Sequence, residues 1–218
     1  MKTFDTSASL KRGWELFKAN KKALVLITLL FVIVGSIQNI KSKGDMEIEL
    51  GIFPLLAILA ILLYGAQLFI QLGWLKSLLK VEDGGSIQFK EIFNYGNLFW
   101  KYVAVSILYM LITAAGFILL IIPGFYFMLK YLFAPIIVID KEVSIREAFD
   151  HSKTLTQDIK WKLLGFLIVM GLVNLLGILA LGIGVLVTLP VTALALIHIY
   201  RNLGQEASPI VATAATPV

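Results

Sequence analysis

Two long apolar runs that together contain a single charge constrain the fold of this chain more than any other feature. Residues 102–139 and 163–200 are each 38 residues long, and Lys130 is their only formally charged side chain. A helix rises about 1.5 Å per residue, so each run would reach roughly 57 Å, about twice the hydrocarbon core of a bilayer. Each run is therefore predicted to cross a membrane twice, as a helical hairpin. The turns are expected at Pro123-Gly124 and at residues 182–184, where helix-breaking residues lie near the middle of each run.

The composition also indicates a protein that folds in lipid. Of its 218 residues 59% are hydrophobic and 15% are charged, whereas about a quarter are charged in an average soluble domain. Two further apolar runs raise the number of predicted spans to six, at about residues 23–40, 50–75, 102–122, 125–139, 163–181 and 185–200. The expected fold class is an all-α integral membrane protein with a single membrane domain, residues 1–218. The polar connections are too short to form a separate soluble domain.

Basic residues indicate the orientation of the chain. Six spans place both termini on one side, and that side carries 16 Lys and Arg residues, against only Lys41 and Lys43 on the other. By the positive-inside rule both termini are expected in the cytoplasm. This asymmetry explains the net charge of +5, so no nucleic-acid partner is expected. All four tryptophans lie on the same side near span ends and are predicted to anchor the protein at the interface: Trp14, Trp74, Trp100 and Trp161.

A short amphipathic segment precedes the first, third and fifth predicted spans. These segments are residues 9–14, 89–93 and 144–149. In a helix each would place its uncharged residues on one face and its charges on the other, and Ser144 with Glu147 has the spacing of a capping box. We interpret the chain as three repeated units of a surface helix and a transmembrane hairpin, at about residues 6–80, 84–140 and 143–203, followed by a flexible tail at residues 204–218.

The three surface helices are predicted to lie in the plane of the membrane. Each would place an aromatic side chain at the acyl boundary, while Lys or Arg meets anionic headgroups of the cytoplasmic leaflet. The alternative is that these helices only connect the hairpins and complete the bundle.

Several residues of the second half carry a family resemblance. Ile122-Pro123-Gly124 is followed by Asp140, by a Ser-x-x-Glu-Ala-Phe pattern at residues 144–149 and by Trp161-Lys162-Leu163. With these residues the chain resembles a group of bacterial six-span membrane proteins of unknown function, related to the glycerophosphoryl diester phosphodiesterase membrane-domain family. The resemblance implies a multi-pass protein of the bacterial inner membrane. In some members this region precedes a hydrolase domain, whereas here only residues 201–218 follow the last span, so the resemblance does not imply phosphodiesterase activity.

Groups suited to catalysis are scarce in the sequence. An enzyme inside the membrane needs several converging ionisable groups, but no predicted span contains an acidic residue and the chain has no cysteine. The sequence also lacks the His-Glu-x-x-His, Gly-x-Ser-x-Gly and P-loop patterns. His151 and His198 are interpreted as structural, and Glu82-Asp83 as part of a solvated turn. We therefore expect no catalytic residue, no metal and no cofactor.

Four polar residues within the predicted spans are candidates for contact with lipid or ligand: Lys130, Asn174, Gln67 and Gln71. Lys130 is the most costly of them to bury. It is expected either to extend toward the outer headgroups or, inside the bundle, to hold an anionic ligand or bond to Asn174. Gln67 and Gln71 lie four residues apart on one helical face. Such polar residues either join helices or line a pathway.

The expected function is that of a non-enzymatic membrane-organising or accessory protein. Its predicted partners are membrane lipids, through anionic headgroups at the cytoplasmic face, and as further candidates another membrane protein or a second copy of the chain. The alternative is a transporter or a lipid-translocating component that uses a polar cavity between the hairpins. A cavity walled by the four polar candidates would favour transport, whereas a packed interior would favour the accessory role.

Overall fold

The chain is all-α in the computed structural model, which describes residues 3–37, 53–180 and 182–214. The helices are α1 (Thr6–Ile37), α2 (Phe53–Glu82), α3 (Gly96–Leu119), α4 (Ile121–Lys130), α5 (Ala134–Asp140), α6 (Ile145–Thr156), α7 (Lys160–Leu179) and α8 (Val185–Ala214), with a short 3₁₀ helix (Phe89–Phe93) between α2 and α3. Within these residues five helical segments are long and apolar enough to cross a membrane: Ile58–Glu82, Gly96–Leu119, Ile121–Asp140, Lys160–Leu179 and Val185–Gln205. The chain is therefore a multi-pass membrane protein, as its composition predicts.

The first predicted span falls in the second half of α1. This helix is kinked at Asn20 (φ −120°, ψ 21°), whose side-chain amide donates to the carbonyl oxygen of Leu16 at 3.3 Å. A side chain that competes for the carbonyls of its own helix favours such a bend. Residues 38–40 of this span, and the outer loop predicted at residues 41–49, lie outside the described residues. The sixth span and the orientation of the termini therefore stay predictions.

The first uncharged run folds as a hairpin of α3 and α4, but its turn is the single residue Leu120 and not the predicted Pro123-Gly124. Leu120 is extended, with φ −166° and ψ 156°. Pro123 lies in the first turn of α4, where its missing N–H leaves no helical hydrogen bond unmade. Gly124 permits close packing, because a Cβ there would overlap the ring of Phe117.

The second uncharged run also folds as a hairpin, of α7 and α8. Gly182 lies in the predicted turn with a φ of 74°, a left-handed conformation that favours glycine. Just before the turn the two helices approach closely, since a Cβ at Gly177 would overlap the hydroxyl of Thr188. Both runs therefore fold back on themselves, as their lengths predict.

The second arm of the first hairpin is broken, whereas the sequence predicts one span at residues 125–139. Helix α4 ends at Lys130 and α5 begins at Ala134. Pro135 is the physical reason, because it has no N–H to offer the carbonyl of Tyr131 and its ring would crowd that carbonyl in a continuous helix. The N–H of Ala134 bonds to the Tyr131 oxygen instead, at 3.0 Å.

Helix α5 lies in the core of the bundle. Five of its seven residues are buried, and it packs against α2, α3 and α6. The ring of Phe133, just before α5, is fully buried and lies 5.7 Å from the ring of Tyr200 on α8. The core therefore extends from the broken arm of the first hairpin to the last helix.

The first two amphipathic segments do not form separate surface α-helices. Residues 9–14 lie within α1 and pack along α8, where a Cβ at Gly13 would overlap the carbonyl oxygen of Val191. Residues 89–93 form the 3₁₀ helix, in which Ile92 is buried. Both segments thus contact protein through Gly13 and Ile92, whereas the side chains of Trp14, Phe89 and Phe93 are exposed.

The third segment, residues 144–149, begins α6, and the capping box predicted there is confirmed. The N–H of Ser144 donates to the Glu147 carboxylate at 2.9 Å, and the N–H of Glu147 donates to the Ser144 hydroxyl at 3.3 Å. Because the three segments differ in structure, the structure does not show a threefold repeat, which stays a prediction. Helix α8 continues to Ala214, through most of the tail predicted at residues 204–218.

Candidate functional site

Two lysine ammoniums converge on one aromatic ring. The Nζ atom of Lys130, at the end of α4, lies 5.7 Å from the ring centre of Tyr126 and 5.0 Å from that of Tyr131. The Nζ atom of Lys160, the first residue of α7, lies 5.2 Å from the ring centre of Tyr126. Among the described residues, neither ammonium forms an ion pair with a carboxylate. Aromatic faces therefore supply part of the stabilisation that these cations need.

This position bears on two of the expectations for Lys130, and the third, an anionic ligand, stays a prediction. A bond to Asn174 is not formed, because the Asn174 amide donates to the hydroxyl of Thr192 at 3.1 Å. Extension toward the outer headgroups does not fit either, since Lys130 shares a ring with Lys160, which the sequence places at the cytoplasmic end of a span. The turn at Leu120 explains the difference: Lys130 is the last of the 10 residues of α4 and lies roughly 15 Å from that turn.

A groove of about 470 Å³ lies between α4 and α7 beside these lysines. Its lining is mainly apolar and aromatic, with one acidic and one basic residue: Ile122, Phe125, Tyr126, Leu129, Asp158, Lys160, Trp161 and Leu164. Asp158 has a φ of 67°, a conformation that Asp tolerates better than most residues. We call this feature the α4–α7 groove. Its walls are mainly apolar, and its two charged residues lie at or just before the start of α7.

Helix α6 satisfies the backbone that the break between α4 and α5 leaves free. The hydroxyl of Ser152 accepts from the N–H of Phe133 at 3.2 Å and donates to the carbonyl oxygen of Lys130 at 3.1 Å. The hydroxyl of Thr156 lies 3.1 Å from the same carbonyl oxygen and 3.0 Å from the carbonyl oxygen of Ser152, so its single proton is shared between these two acceptors. Both hydroxyl residues are completely buried. Within an apolar span such backbone groups must be satisfied by protein, so α6 is fixed to this point of the arm.

The apolar face of α6 therefore meets protein. Its buried residues include Ala148, Phe149 and Leu155 on the same side as Ser152, and the ring of Phe149 lies 5.0 Å from that of Tyr131. The prediction that this aromatic enters the acyl boundary is wrong for α6. The alternative, a connecting helix that completes the bundle, describes it better.

A second polar cluster joins the ends of α2 and α5 to the middle of α8. The guanidinium of Arg201 donates to both oxygens of Asp140, at 2.7 and 2.8 Å, and to Asp83 at 2.7 Å. The hydroxyl of Tyr200 donates to Asp140 at 2.6 Å. The Asp140 side chain is only 12% exposed, and a two-point contact with a guanidinium fixes both distance and angle. The cluster thus holds the ends of α2 and α5 against α8.

Glu82 extends this cluster to α1. Its Oε1 atom lies 2.7 Å from Nδ1 of His198 and 4.0 Å from Nε of Arg12. The other ring nitrogen of His198 lies 3.1 Å from the side-chain amide of Asn202. The prediction of a solvated turn is wrong for Glu82, because it is the last residue of α2 and its side chain is only 7% exposed.

The glutamines of α2 lie apart from Lys130. Gln67 is partly buried, and a Cβ at Gly35 of α1 would lie 3.3 Å from its amide nitrogen. The side-chain oxygen of Gln67 is buried and has no hydrogen-bond partner among the described residues. Gln71 is partly buried. Within the described ranges no hydrogen bond or ion pair links Lys130, Asn174 and the two glutamines, and the polar cavity that transport would need stays a prediction.

Three of the four tryptophans have exposed side chains, in fractions of 44, 76 and 81%: Trp14, Trp100 and Trp161. Trp74 packs between α1 and α2. Its ring stacks on Phe31, with centres 5.4 Å apart, and its indole N–H donates to the hydroxyl of Thr28 at 3.3 Å. Anchoring at a lipid interface stays a prediction for all four.

Three residues of these sites have only weak signals in the sequence. Ser152 and Thr156 lie four residues apart on the apolar face of an amphipathic helix, and Pro135 lies inside a predicted span; together these features indicate hydroxyls that support a helix break. Lys160 is one of 16 basic residues on the predicted cytoplasmic side, and nothing in its local sequence distinguishes it.

Comparisons of the chain with protein-family models, curated proteins and solved structures find no match. The resemblance to the phosphodiesterase membrane-domain family therefore stays a prediction that rests on its short motifs. Function has to be inferred from the exposed aromatic residues, the lysine pair, the groove and the charged cluster.

Proposed function

We propose that this chain is a non-enzymatic accessory protein of the bacterial inner membrane that organises lipids around itself. Its main partners would be anionic headgroups at the cytoplasmic face, and a partner membrane protein or a second copy would then recognise the lipid-bearing bundle. The observation that carries the proposal is that an exposed tryptophan has a lysine neighbour in each of α1, α3 and α7.

These three pairs have closely similar chemistry. The Nζ atom of Lys18 lies 5.8 Å from the ring centre of Trp14. Trp100 is followed directly by Lys101, and Trp161 lies between two lysines. An exposed indole is stable at headgroup depth, where its ring meets acyl chains and its N–H stays wet.

Lysines at this depth favour anionic lipids. Each basic residue near an anionic surface contributes on the order of 1 kcal/mol, and the effect declines within a Debye length. Three indole–lysine pairs on separate helices distribute this attraction around the bundle. A shell enriched in anionic lipid is the expected result.

The buried charges support a structural role and not a catalytic one. Both oxygens of Asp140 accept hydrogen bonds from Arg201, and one of them also accepts from Tyr200. The acceptor sites of this carboxylate are thus already occupied by donors. Such an arrangement is better suited to fixing helix ends than to transferring protons. Phosphodiesterase activity is therefore no part of the proposal.

Extraction of the protein in native lipid particles tests the proposal. The lipids retained around the full chain are quantified and compared with those of the bulk membrane. We expect anionic phospholipid to be enriched about twofold or more, given the contribution of each lysine. Replacing the three exposed tryptophans together (Trp14→Leu, Trp100→Leu and Trp161→Leu) should reduce the enrichment.

Trp74→Phe is the matched control, because Trp74 packs inside the bundle, where its ring stacks on Phe31 and its indole N–H donates to Thr28. This variant should keep the lipid shell of the unmodified protein. A retained shell with the composition of the bulk membrane would refute the proposed function.

A further inference from the structure

We infer that the α4–α7 groove binds one molecule of an anionic membrane phospholipid, with the phosphate at Lys130 and Lys160 and an acyl chain along the groove. The inference rests on the proposed function, because it gives the proposed lipid engagement a defined site. It goes further in assigning one lipid, one phosphate position and one pair of cations.

The first argument is the charge of the lysine pair. Both ammoniums lie within 6 Å of the Tyr126 ring centre, at 5.7 and 5.2 Å, and neither has an ion-pair partner among the described residues. A cation near an apolar span is costly unless an anion or water meets it. A ring face supplies only a small part of that stabilisation. An anion placed between the two ammoniums would supply the rest.

The second argument is the shape and lining of the groove. Its volume of about 470 Å³ is within the range of roughly 300–1,000 Å³ that ligand sites occupy. Ile122, Phe125 and Leu129 line the α4 side, and Leu164 lines the α7 side. These side chains offer no hydrogen bond to a free anion, but they fit an acyl chain attached to the anion. A lipid phosphate therefore matches both parts of the site, whereas inorganic phosphate matches only one.

The third argument is the net charge. Lys160 and Asp158 line the groove, and Lys130 lies beside it, 5.7 Å from the ring centre of the lining residue Tyr126, so the formal charges of these three residues sum to +1. A phosphodiester with an uncharged headgroup carries a single negative charge. A lipid such as phosphatidylglycerol is thus complementary, and a zwitterionic lipid such as phosphatidylcholine is not.

The fourth argument is that the site is held in place. The carbonyl of Lys130 is bonded by Ser152 and Thr156 of α6, each at 3.1 Å. The backbone that carries one of the two ammoniums is therefore fixed before any lipid arrives. Pre-organisation of this kind lowers the entropic cost of binding.

Native mass spectrometry of the full chain in detergent tests the inference with two probes, phosphatidylglycerol and phosphatidylcholine of the same acyl composition. We expect one phosphatidylglycerol per chain to bind about fivefold more tightly than phosphatidylcholine, or better. Millimolar inorganic phosphate should leave this lipid bound. Equal affinity for the two lipids, or displacement by phosphate, would overturn the inference.

Charge-neutral variants locate the site. Lys160→Gln should weaken phosphatidylglycerol binding about fivefold, and adding Lys130→Gln should weaken it about fivefold again. Lys153→Gln is the matched control, because Lys153 is exposed on α6, does not line the groove and is not beside an exposed tryptophan. An equal loss in the control would overturn the assignment. Lys160→Gln alone decides the question if the double variant does not fold.

The two proposals fail in different ways. The triple tryptophan variant tests the average lipid shell, and Leu164→Trp, which fills the groove, tests the single site. If Leu164→Trp removes the tightly bound phosphatidylglycerol while the shell stays enriched, both proposals hold. If the shell is enriched but no lipid is bound tightly at the groove, the inference is refuted and the proposed function stands.

Discussion

Ser152→Ala removes a hydroxyl that serves two backbone groups at the break between α4 and α5. Alanine leaves the N–H of Phe133 without its acceptor at 3.2 Å, whereas the carbonyl of Lys130 keeps its bond from Thr156. The site is completely buried, so water cannot take the place of the hydroxyl without opening the packing. The variant therefore isolates the cost of one unsatisfied amide.

The expected loss of stability follows from the one amide that Ser152→Ala leaves unsatisfied. A buried unsatisfied polar group costs about 1–3 kcal/mol, and single hydrogen bonds between transmembrane helices contribute about 0.6 kcal/mol on average and up to about 1.7. We expect Ser152→Ala to lower the free energy of unfolding by about 1–2 kcal/mol. Thr156→Val should cost about 0.5 kcal/mol, because Ser152 still donates to the Lys130 carbonyl.

The double variant separates this explanation from general loosening. With both hydroxyls gone the carbonyl of Lys130 has no side-chain donor, so the cost should exceed the sum of the single costs by about 1 kcal/mol. Unfolding in mixed micelles, followed by helical circular dichroism, measures all three values. Additive costs, or single variants as stable as the unmodified protein, would refute the argument that α6 supports the break.

Two further predictions concern helix contacts and pH. Gly177→Ala should destabilise the α7–α8 hairpin by about 1–3 kcal/mol, since the new Cβ would overlap the hydroxyl of Thr188. Gly165→Ala is the control and should not destabilise it, because a Cβ there meets no atom within 4 Å. Thermal unfolding of both variants in detergent measures the difference. The backbone N–H and then the hydroxyl of Ser144 lower the pKa of Glu147. The stability it gives α6 is therefore present above the unfolded pKa of about 4.3 and is lost as pH falls through the lower folded value. The protection factors of amides at the start of α6, measured by hydrogen exchange against the intrinsic rate at each pH, should therefore fall in acid, and Glu147→Gln should show no such change.

The hairpins could be predicted because they follow from length alone. A run of 38 residues without charge cannot cross a bilayer once. The position of the first hairpin's turn could not be predicted in this way, because Pro and Gly occur at the start of a helix as well as in a loop. Leu120 carries no turn signal in its side chain, and the close packing of Gly124 on Phe117 across this turn is a contact that only the folded hairpin shows.

The buried charges show a different limit. Glu82 and its partner His198 are 116 residues apart in the chain. A local pattern of two acidic residues before two glycines favours a solvated turn, and only the tertiary structure brings the histidine to it. The lysine pair could not be predicted from the sequence for the same reason. The break at Pro135 and the approach of α7 decide which ring Lys160 contacts.

Arg201 also places a constraint on the order in which the bundle closes. The ribosome adds Arg201 118 residues after Asp83 and 61 residues after Asp140. During synthesis and membrane insertion, both carboxylates remain without this partner in the polar interfacial region until α8 has been inserted. The last helix therefore closes this end of the molecule, and a chain interrupted before residue 201 would leave two acidic helix ends free to separate.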